Sequence, residues 1–286
     1  MIPSQNIVAW GQTVPWAETR QVEQDLIICR AIVAIFSDPY LSAELRFRGG
    51  TALNKLHFPR PLRYSEDIDL VRTTRGPIKP LIERLRAVLE PWLGRSGYDS
   101  SPVAPKLRFR VPAEDGSGTI RLKIEINTGE TDAYDPPANR TFSVTNPWFT
   151  GTTEVATFSR EELIATKLRA LLQRDKGRDL YDLGHAFDVF PELKLERVIE
   201  CFGLYLKSAK QEIPRNEAER RMFAKLAAPS FLTDMRPLLA AGEAAELDEA
   251  ATQKTFEKVF RHFIVRLPGA PWARTEEMKK KFNVLL

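Results

Sequence analysis

The sequence predicts an α+β chain, with a mixed α/β half followed by a helical half and a boundary near residues 150–158. Three observations carry this. Short runs that alternate apolar and polar residues, the mark of a half-buried strand, fall in the first half: Leu45-Arg46-Phe47-Arg48, Asp67 to Val71, and Thr119 to Ile126. Amphipathic helical patterns lie between them. After about residue 155 the alternation stops, and apolar residues three or four apart dominate to the C-terminus.

Taken in order, residues 1–19 hold Pro3, Gly11 and Pro15 without a sustained period and read as an irregular N-terminal arm. From Arg20 to Phe36, the residues Val22, Leu26, Cys29, Val33 and Phe36 recur at helical spacing. Leu45 to Arg48 is a strand that runs into Gly49-Gly50, and Thr51 to His57 a short helix ended by Pro59 and Pro61. Asp67 to Val71 is the next strand. Ile78, Leu81, Ile82, Leu85, Val88, Leu89 and Trp92 mark a long helix closed by Gly94. Leu107–Val111 and Thr119–Ile126 make a hairpin around Glu114-Asp115-Gly116, and Arg140–Thr145 adds a strand.

In the second half, Ser159-Arg160-Glu161-Glu162 has the Ser-x-x-Glu form of a capping box. The helix it opens is expected to run to about Arg174, with Gly177 as its C-terminal stop. Further helical patterns span residues 179–190, 195–206, 217–226 and 252–267. The expected organisation is an arm at 1–19, an α/β domain at 20–155 and a helical domain at 156–286.

Composition excludes several classes. With 43% apolar and 28% charged residues, the chain is neither disordered nor a membrane span. The run from Leu26 to Phe36 is interrupted by Arg30 and too short to cross a bilayer. Only Cys29 and Cys201 are present, both in apolar surroundings, so neither a disulfide framework nor a cysteine zinc site is expected. Met1-Ile2-Pro3-Ser4 opens without a basic region leading into an apolar core, so no signal peptide is expected and a reducing cytoplasm is the expected location. The net charge of +4 and pI of about 9.0 are compatible with a polyanionic partner. Lys167, Arg169, Arg174, Lys176 and Arg178 crowd together within residues 167–178.

Four features carry chemistry. Gly49-Gly50-Thr51, between a strand and a helix, is either a plain turn or a place where a phosphate approaches the backbone and helix N–H groups. Asp67 and Asp69 share one face of a strand at roughly 6.5–7 Å between Cα atoms. Two such carboxylates repel each other, so they belong either to an exposed strand end or to a Mg²⁺ site. Glu125 lies on the polar face of its strand with Arg121 and Lys123. It is either an exposed glutamate opposite a basic neighbour or, if its strand adjoins Asp67–Val71, the third member of a carboxylate triad able to hold metal or accept a proton. Lys167 shares a helix face with Arg174, opposite Leu163, Ile164, Leu168, Leu171 and Leu172. Asp179 and Asp182 lie on one face at the start of the next helix.

Phe47-Arg48-Gly49-Gly50-Thr51-Ala52-Leu53 and Arg63-Tyr64-Ser65-Glu66-Asp67-Ile68-Asp69-Leu70 resemble motifs of the AbiEii/AbiGii (MenT-like) nucleotidyltransferase toxin family. So do Glu162 to Leu171 and Arg178-Asp179-Leu180-Tyr181-Asp182-Leu183, and the likeness covers about residues 20–190. It implies a DNA-polymerase-β-like core and a toxin of a bacterial toxin–antitoxin system with a separately encoded antitoxin. It also implies that Gly49, Gly50 and Thr51 meet the nucleotide phosphates, that Asp67 and Asp69 hold Mg²⁺, and that Lys167 binds the triphosphate with Asp179 nearby. Arg169, in the basic stretch, would help hold phosphate charge. Ser65 falls where antitoxin-linked phosphorylation silences such toxins. One departure is Thr51, where many polymerase-β-like transferases carry serine.

The expected reaction is attack of the 3′-hydroxyl of tRNA on the α-phosphate of a nucleoside triphosphate, with two Mg²⁺ ions. Arg46, Arg48, Arg60 and Arg63 are expected to guide the RNA. An antibiotic nucleotidyltransferase or a non-catalytic partner-binding relative are the alternatives.

Overall fold

The computed structural model describes residues 2–116, 118–228, 231 and 234–285. Met1 of the expected arm, Ser117 of the expected α/β domain, and residues 229, 230, 232, 233 and 286 of the expected helical domain lie outside the described residues. The chain divides into two compact units, Met1–Ser159 and Arg160–Leu286. Among the described residues, no helix is long and apolar enough to cross a membrane.

The first unit is built on seven strands: β1 (Leu45–Arg48), β2 (Asp67–Arg72), β3 (Gly97–Asp99), β4 (Lys106–Pro112), β5 (Thr119–Asn127), β6 (Ala138–Asn146) and β7 (Phe149–Thr157). They form one mixed sheet in the order β3-β4-β5-β2-β1-β7-β6. The β2/β5 and β1/β7 pairs are parallel and the other pairs antiparallel. Its helices are α1 (Ser4–Gly11), α2 (Thr19–Ser37), α3 (Pro39–Glu44), α4 (Gly49–Ala52) and α5 (Lys79–Leu93), with a π-type turn at Leu53–His57 continuing α4.

Helix α2 lies on the sheet against β2, β5, β6 and β7, and Leu26, Cys29, Val33 and Phe36 are buried there. On β2, Ile68 and Leu70 go into the core, which leaves Asp67 and Asp69 on the half-buried alternate positions. A polar tie inside the core joins α2 to the segment after the double glycine. The Lys55 ammonium sits 2.5 Å from Asp25 Oδ1, and Trp10 Nε1 donates to Asp25 Oδ2 at 3.0 Å. Burial alone would lower the Lys55 pKa; the Asp25 and Cys29 charges and the hydrogen bonds to both together outweigh it and raise it. Cys29 and Cys201 are buried free thiols, and burial pushes Cys29 up to about 12, which makes it inert.

Four elements of this unit differ from expectation, one of them α3, a short helix capped by Asp38 that no sequence pattern announced. The arm contains α1, because Ile7 and Trp10 are buried and α1 packs on α2; tertiary packing rather than propensity holds so short a helix. Strand β7 has no counterpart among the expected elements. Its repeated threonines and Gly151 give little apolar contrast, and only Val155 and Thr157 are buried. Strand β3 is too short for any periodicity to register.

The second unit contains α6 (Arg160–Gln173), α7 (Gly177–Val189), α8 (Leu195–Ser208), α9 (Arg215–Leu226) and helices at Ala241–Glu246, Glu249–His262 and Thr275–Lys281. Helix α6 packs on α7, α8 and α9. Gly177 opens α7 rather than stopping α6. Its N–H donates to Asp234 at 3.0 Å, and a Cβ there would collide with the Phe231 carbonyl, so glycine is required by close approach. The expected helix at 252–267 is a helix at Glu249–His262 followed by a 3₁₀ turn at Ile264–Arg266.

Candidate active site

Strand β1 delivers the chain to Gly49, whose φ of +83° is the left-handed conformation that glycine adopts without strain. A second constraint acts on the same residue: a Cβ on Gly49 would overlap the carboxylate of Asp69, which pairs with Arg48 in the β1/β2 register. The bare glycine backbone and the acidic strand are thus fitted to one another. Asn54, buried in the following turn, donates to the Gly50 carbonyl at 2.9 Å and accepts from the Leu62 N–H at 3.0 Å and the Arg63 N–H at 3.3 Å. It ties the loop leading to Asp67 to the glycine turn, a role the sequence did not disclose.

Thr51 is only 1% exposed. Its hydroxyl donates to the Asp67 carbonyl at 2.5 Å and lies 2.8 Å from Ser65 Oγ. A hydroxyl has one proton, so with that proton on Asp67 O the Ser65 hydroxyl is the donor to Thr51. The structure therefore places the Thr51 side chain on the backbone of β2.

Strands β2 and β5 run parallel, with Asp67 opposite Lys123 and Asp69 opposite Glu125. The strand of Glu125 does adjoin Asp67–Val71, as a carboxylate triad would require. Lys123 Nζ lies 2.9 Å from Asp67 Oδ2 and 3.6 Å from Glu125 Oε2, and Lys106 Nζ lies 3.4 Å from the same Glu125 oxygen. Burial alone would lower the Lys123 pKa, but the Asp67 bond and the charges of Asp67, Glu125 and Asp69 hold it above the usual lysine value. The Asp69 carboxyl is raised, first by burial and then by the negative charges of Asp67 and Glu125.

These groups fit a hard divalent cation. The donors are carboxylate oxygens, and Asp69 carries a charge that its surroundings disfavour until a cation arrives. Of the two readings of Glu125, the one as a third metal ligand finds no support: among the described residues, no group of three or more His, Cys, Asp or Glu is spaced to hold a metal. Glu125 is directed to Lys106 and Lys123 instead.

In the second unit, Lys167 is buried with its ammonium 3.2 Å from Asp179 Oδ1 and 2.8 Å from Asp182 Oδ2. Arg174 Nε and Nη2 donate to the two oxygens of Asp179 at 2.7 and 2.9 Å. Burial would raise the Asp179 pKa; Lys167 and the Arg174 bonds more than offset it and hold it below the usual carboxylate value. The basic stretch is therefore not a run of five unpaired cations: Lys167 and Arg174 serve these aspartates, and Arg169 stacks over Tyr205 at 5.2 Å.

Three of the four arginines expected to guide RNA have partners within the protein. Arg63 is 3% exposed and donates to the Tyr64 carbonyl, Arg48 pairs with Glu130 at 3.0 Å, and Arg46 lies over Phe158. Of the four, only Arg60 is exposed.

Comparison with known proteins gives the family and the fold. The family model of the nucleotidyl transferase AbiEii toxin, type IV toxin–antitoxin system, matches residues 30–261. Among solved structures, the nucleotidyltransferase toxin MenT4 from Mycobacterium tuberculosis H37Rv aligns over 100% of this chain and 99% of its own, with a TM-score of 0.63 and 15% identity. A likeness at that identity establishes the fold, that of a nucleotidyltransferase. The crystal structure of JHP933 from Helicobacter pylori covers 85% of this chain and 95% of its own, at 18% identity and a TM-score of 0.48. A search of curated proteins finds no significant match. The chain belongs to the AbiEii family of type IV toxin–antitoxin nucleotidyltransferases and is a nucleotidyltransferase enzyme.

Proposed function

We propose that the protein transfers a nucleotide from a nucleoside triphosphate to the 3′ end of tRNA, blocking translation until a separately encoded antitoxin intervenes. Nucleotidyltransferases of this kind use a nucleoside triphosphate and a divalent metal; here the metal is taken to be Mg²⁺, held by Asp67 and Asp69. The observation that supports this reading most is the fit of the Asp69 carboxylate over the bare backbone of Gly49, which sets an acidic strand directly against the glycine turn.

The 3′-hydroxyl oxygen forms a bond to the α-phosphorus, the bond from that phosphorus to the bridging oxygen breaks, and pyrophosphate leaves. Glu125, in register with Asp69, receives the hydroxyl proton. The backbone at Gly49 and Gly50 lets the phosphates approach closely. Mg²⁺, when bound, neutralises charge on the attacking and leaving oxygens. Lys167, with Arg169 close by in sequence, supplies positive charge for the triphosphate, and Asp179 holds that lysine. Ser65 is a regulatory phosphorylation position, where a dianion would repel both triphosphate and carboxylates.

The test is incubation of the purified protein with Mg²⁺, each labelled nucleoside triphosphate and total tRNA. Label at tRNA 3′ ends that is lost in Asp67→Ala is the expected result. Label on an aminoglycoside and on no RNA would overturn the proposal.

A further inference from the structure

The carboxylate face of the sheet carries its own cation. In a parallel ladder, residues in register project to the same side of neighbouring strands about 4.8 Å apart. Lys123 is thereby set beside Asp67, and its ammonium reaches Asp67 Oδ2 at 2.9 Å and Glu125 Oε2 at 3.6 Å. The three side chains are about equally accessible, with Lys123 33%, Asp67 32% and Glu125 30% exposed. Ion pairs this open to solvent are weak, worth at most about fivefold in an equilibrium. The contact is therefore one that an arriving ion can break, unlike the buried Lys55–Asp25 pair.

A divalent metal arriving at Asp67 Oδ2 meets the ammonium already there, and their like charges repel. Asp67 and Asp69 alone supply only part of a coordination shell, since among the described residues no third ligating side chain is spaced to help. Mg²⁺ completes such a shell from solvent and substrate phosphates. A triphosphate also offers the displaced lysine a new anion, within reach of its flexible four-carbon stem.

We propose that Lys123 is a tethered counter-ion that competes with the divalent metal for Asp67, so that the metal is held firmly only together with a nucleotide whose phosphates take over the ammonium. This rests on the reading of Asp67 and Asp69 as metal ligands. Lys123 acts here as a positioning residue, coupling metal binding to nucleotide binding.

The experiment measures Mn²⁺ binding to the full chain by calorimetry or electron paramagnetic resonance, with and without a non-transferable nucleoside triphosphate analogue. Lys123→Met is expected to bind Mn²⁺ alone roughly two- to fivefold tighter than the parent, the size expected for removing one exposed like charge. The analogue should tighten Mn²⁺ binding more in the parent than in Lys123→Met, and Lys123→Arg should behave as the parent. Lys123→Gln replaces the methionine variant if that one fails to fold. Equal Mn²⁺ affinity in the parent and the neutral variants, or equal enhancement by the analogue in both, overturns the counter-ion role. A distinct failure separates the underlying reading: if Asp67→Ala in the Lys123→Met background still binds Mn²⁺ fully, the metal does not sit on Asp67 at all.

Discussion

The carboxylate of Asp69 lies over the Cα of Gly49, so close that any β-carbon on that glycine would overlap it. The same glycine holds φ at +83°. Gly49→Ala therefore meets two separate penalties, backbone strain and a displaced aspartate. It should lose about 1–3 kcal/mol of stability from the strained conformation and nearly all nucleotide transfer, checked by chemical denaturation alongside the transfer assay. An alanine variant with parental stability and activity would show that the turn is freer than this contact implies.

Asp69 should display a trade between stability and function. Its folded pKa is raised, so its ionised form is disfavoured in the folded state. The penalty is present above the unfolded carboxylate value of about 4 and is relieved as the pH falls. At neutral pH, Asp69→Asn should stabilise the fold by about 1 kcal/mol while abolishing transfer. A melting temperature below that of the parent would count against this account.

Thr51 is predicted to act through its hydrogen bond to the Asp67 carbonyl rather than through substrate. Thr51→Val leaves that carbonyl and Ser65 without their partner and should lose about 1–3 kcal/mol. Thr51→Ser keeps the hydroxyl and should retain most stability and activity. The comparison of the two variants by urea unfolding decides it: a larger loss in Thr51→Ser than in Thr51→Val would mean that the methyl group, not the hydroxyl, matters.

The cluster in the second unit makes a prediction with a defined pH dependence. Lys167→Met leaves Asp179 and Asp182 buried with too little positive charge and should lose about 3–5 kcal/mol near neutral pH. Asp179 has a depressed folded pKa, so the stability it contributes is present above the ordinary carboxylate value and lost as the pH falls through the folded one. The gap between variant and parent should accordingly narrow in acid, as the aspartates of the variant take up protons. A gap that stays constant from pH 7 to pH 3 would refute the electrostatic origin.

Several of these residues are legible in the chain itself. The strand at Leu45–Arg48, the glycine turn and the Asp67/Asp69 alternation are local patterns, and the spacing of apolar residues suffices to read them. The long helix Lys79–Leu93 ends at Gly94 with φ of +81°, as its glycine stop implies. Strand β7 is not legible, because a strand rich in threonine is held by its partners β1 and β6 rather than by its own pattern. The surroundings of Arg63 are not legible for a related reason: arginine in a sequence looks exposed, whereas Arg63 is buried against backbone carbonyl oxygen.

By itself the sequence determined which side chains could do the chemistry: the bare turn at Gly49 and Gly50, the paired carboxylates of Asp67 and Asp69, and Lys167 with its aspartates. These follow from periods of two and 3.6 residues, which any strand or helix must obey. Only the tertiary structure decided which charges meet. The register of β2 with β5 puts Lys123 rather than a third free carboxylate against Asp67, and the packing of α6 on α7 encloses Lys167 between Asp179 and Asp182. Contacts between strands and between helices depend on register and burial, which no local periodicity encodes.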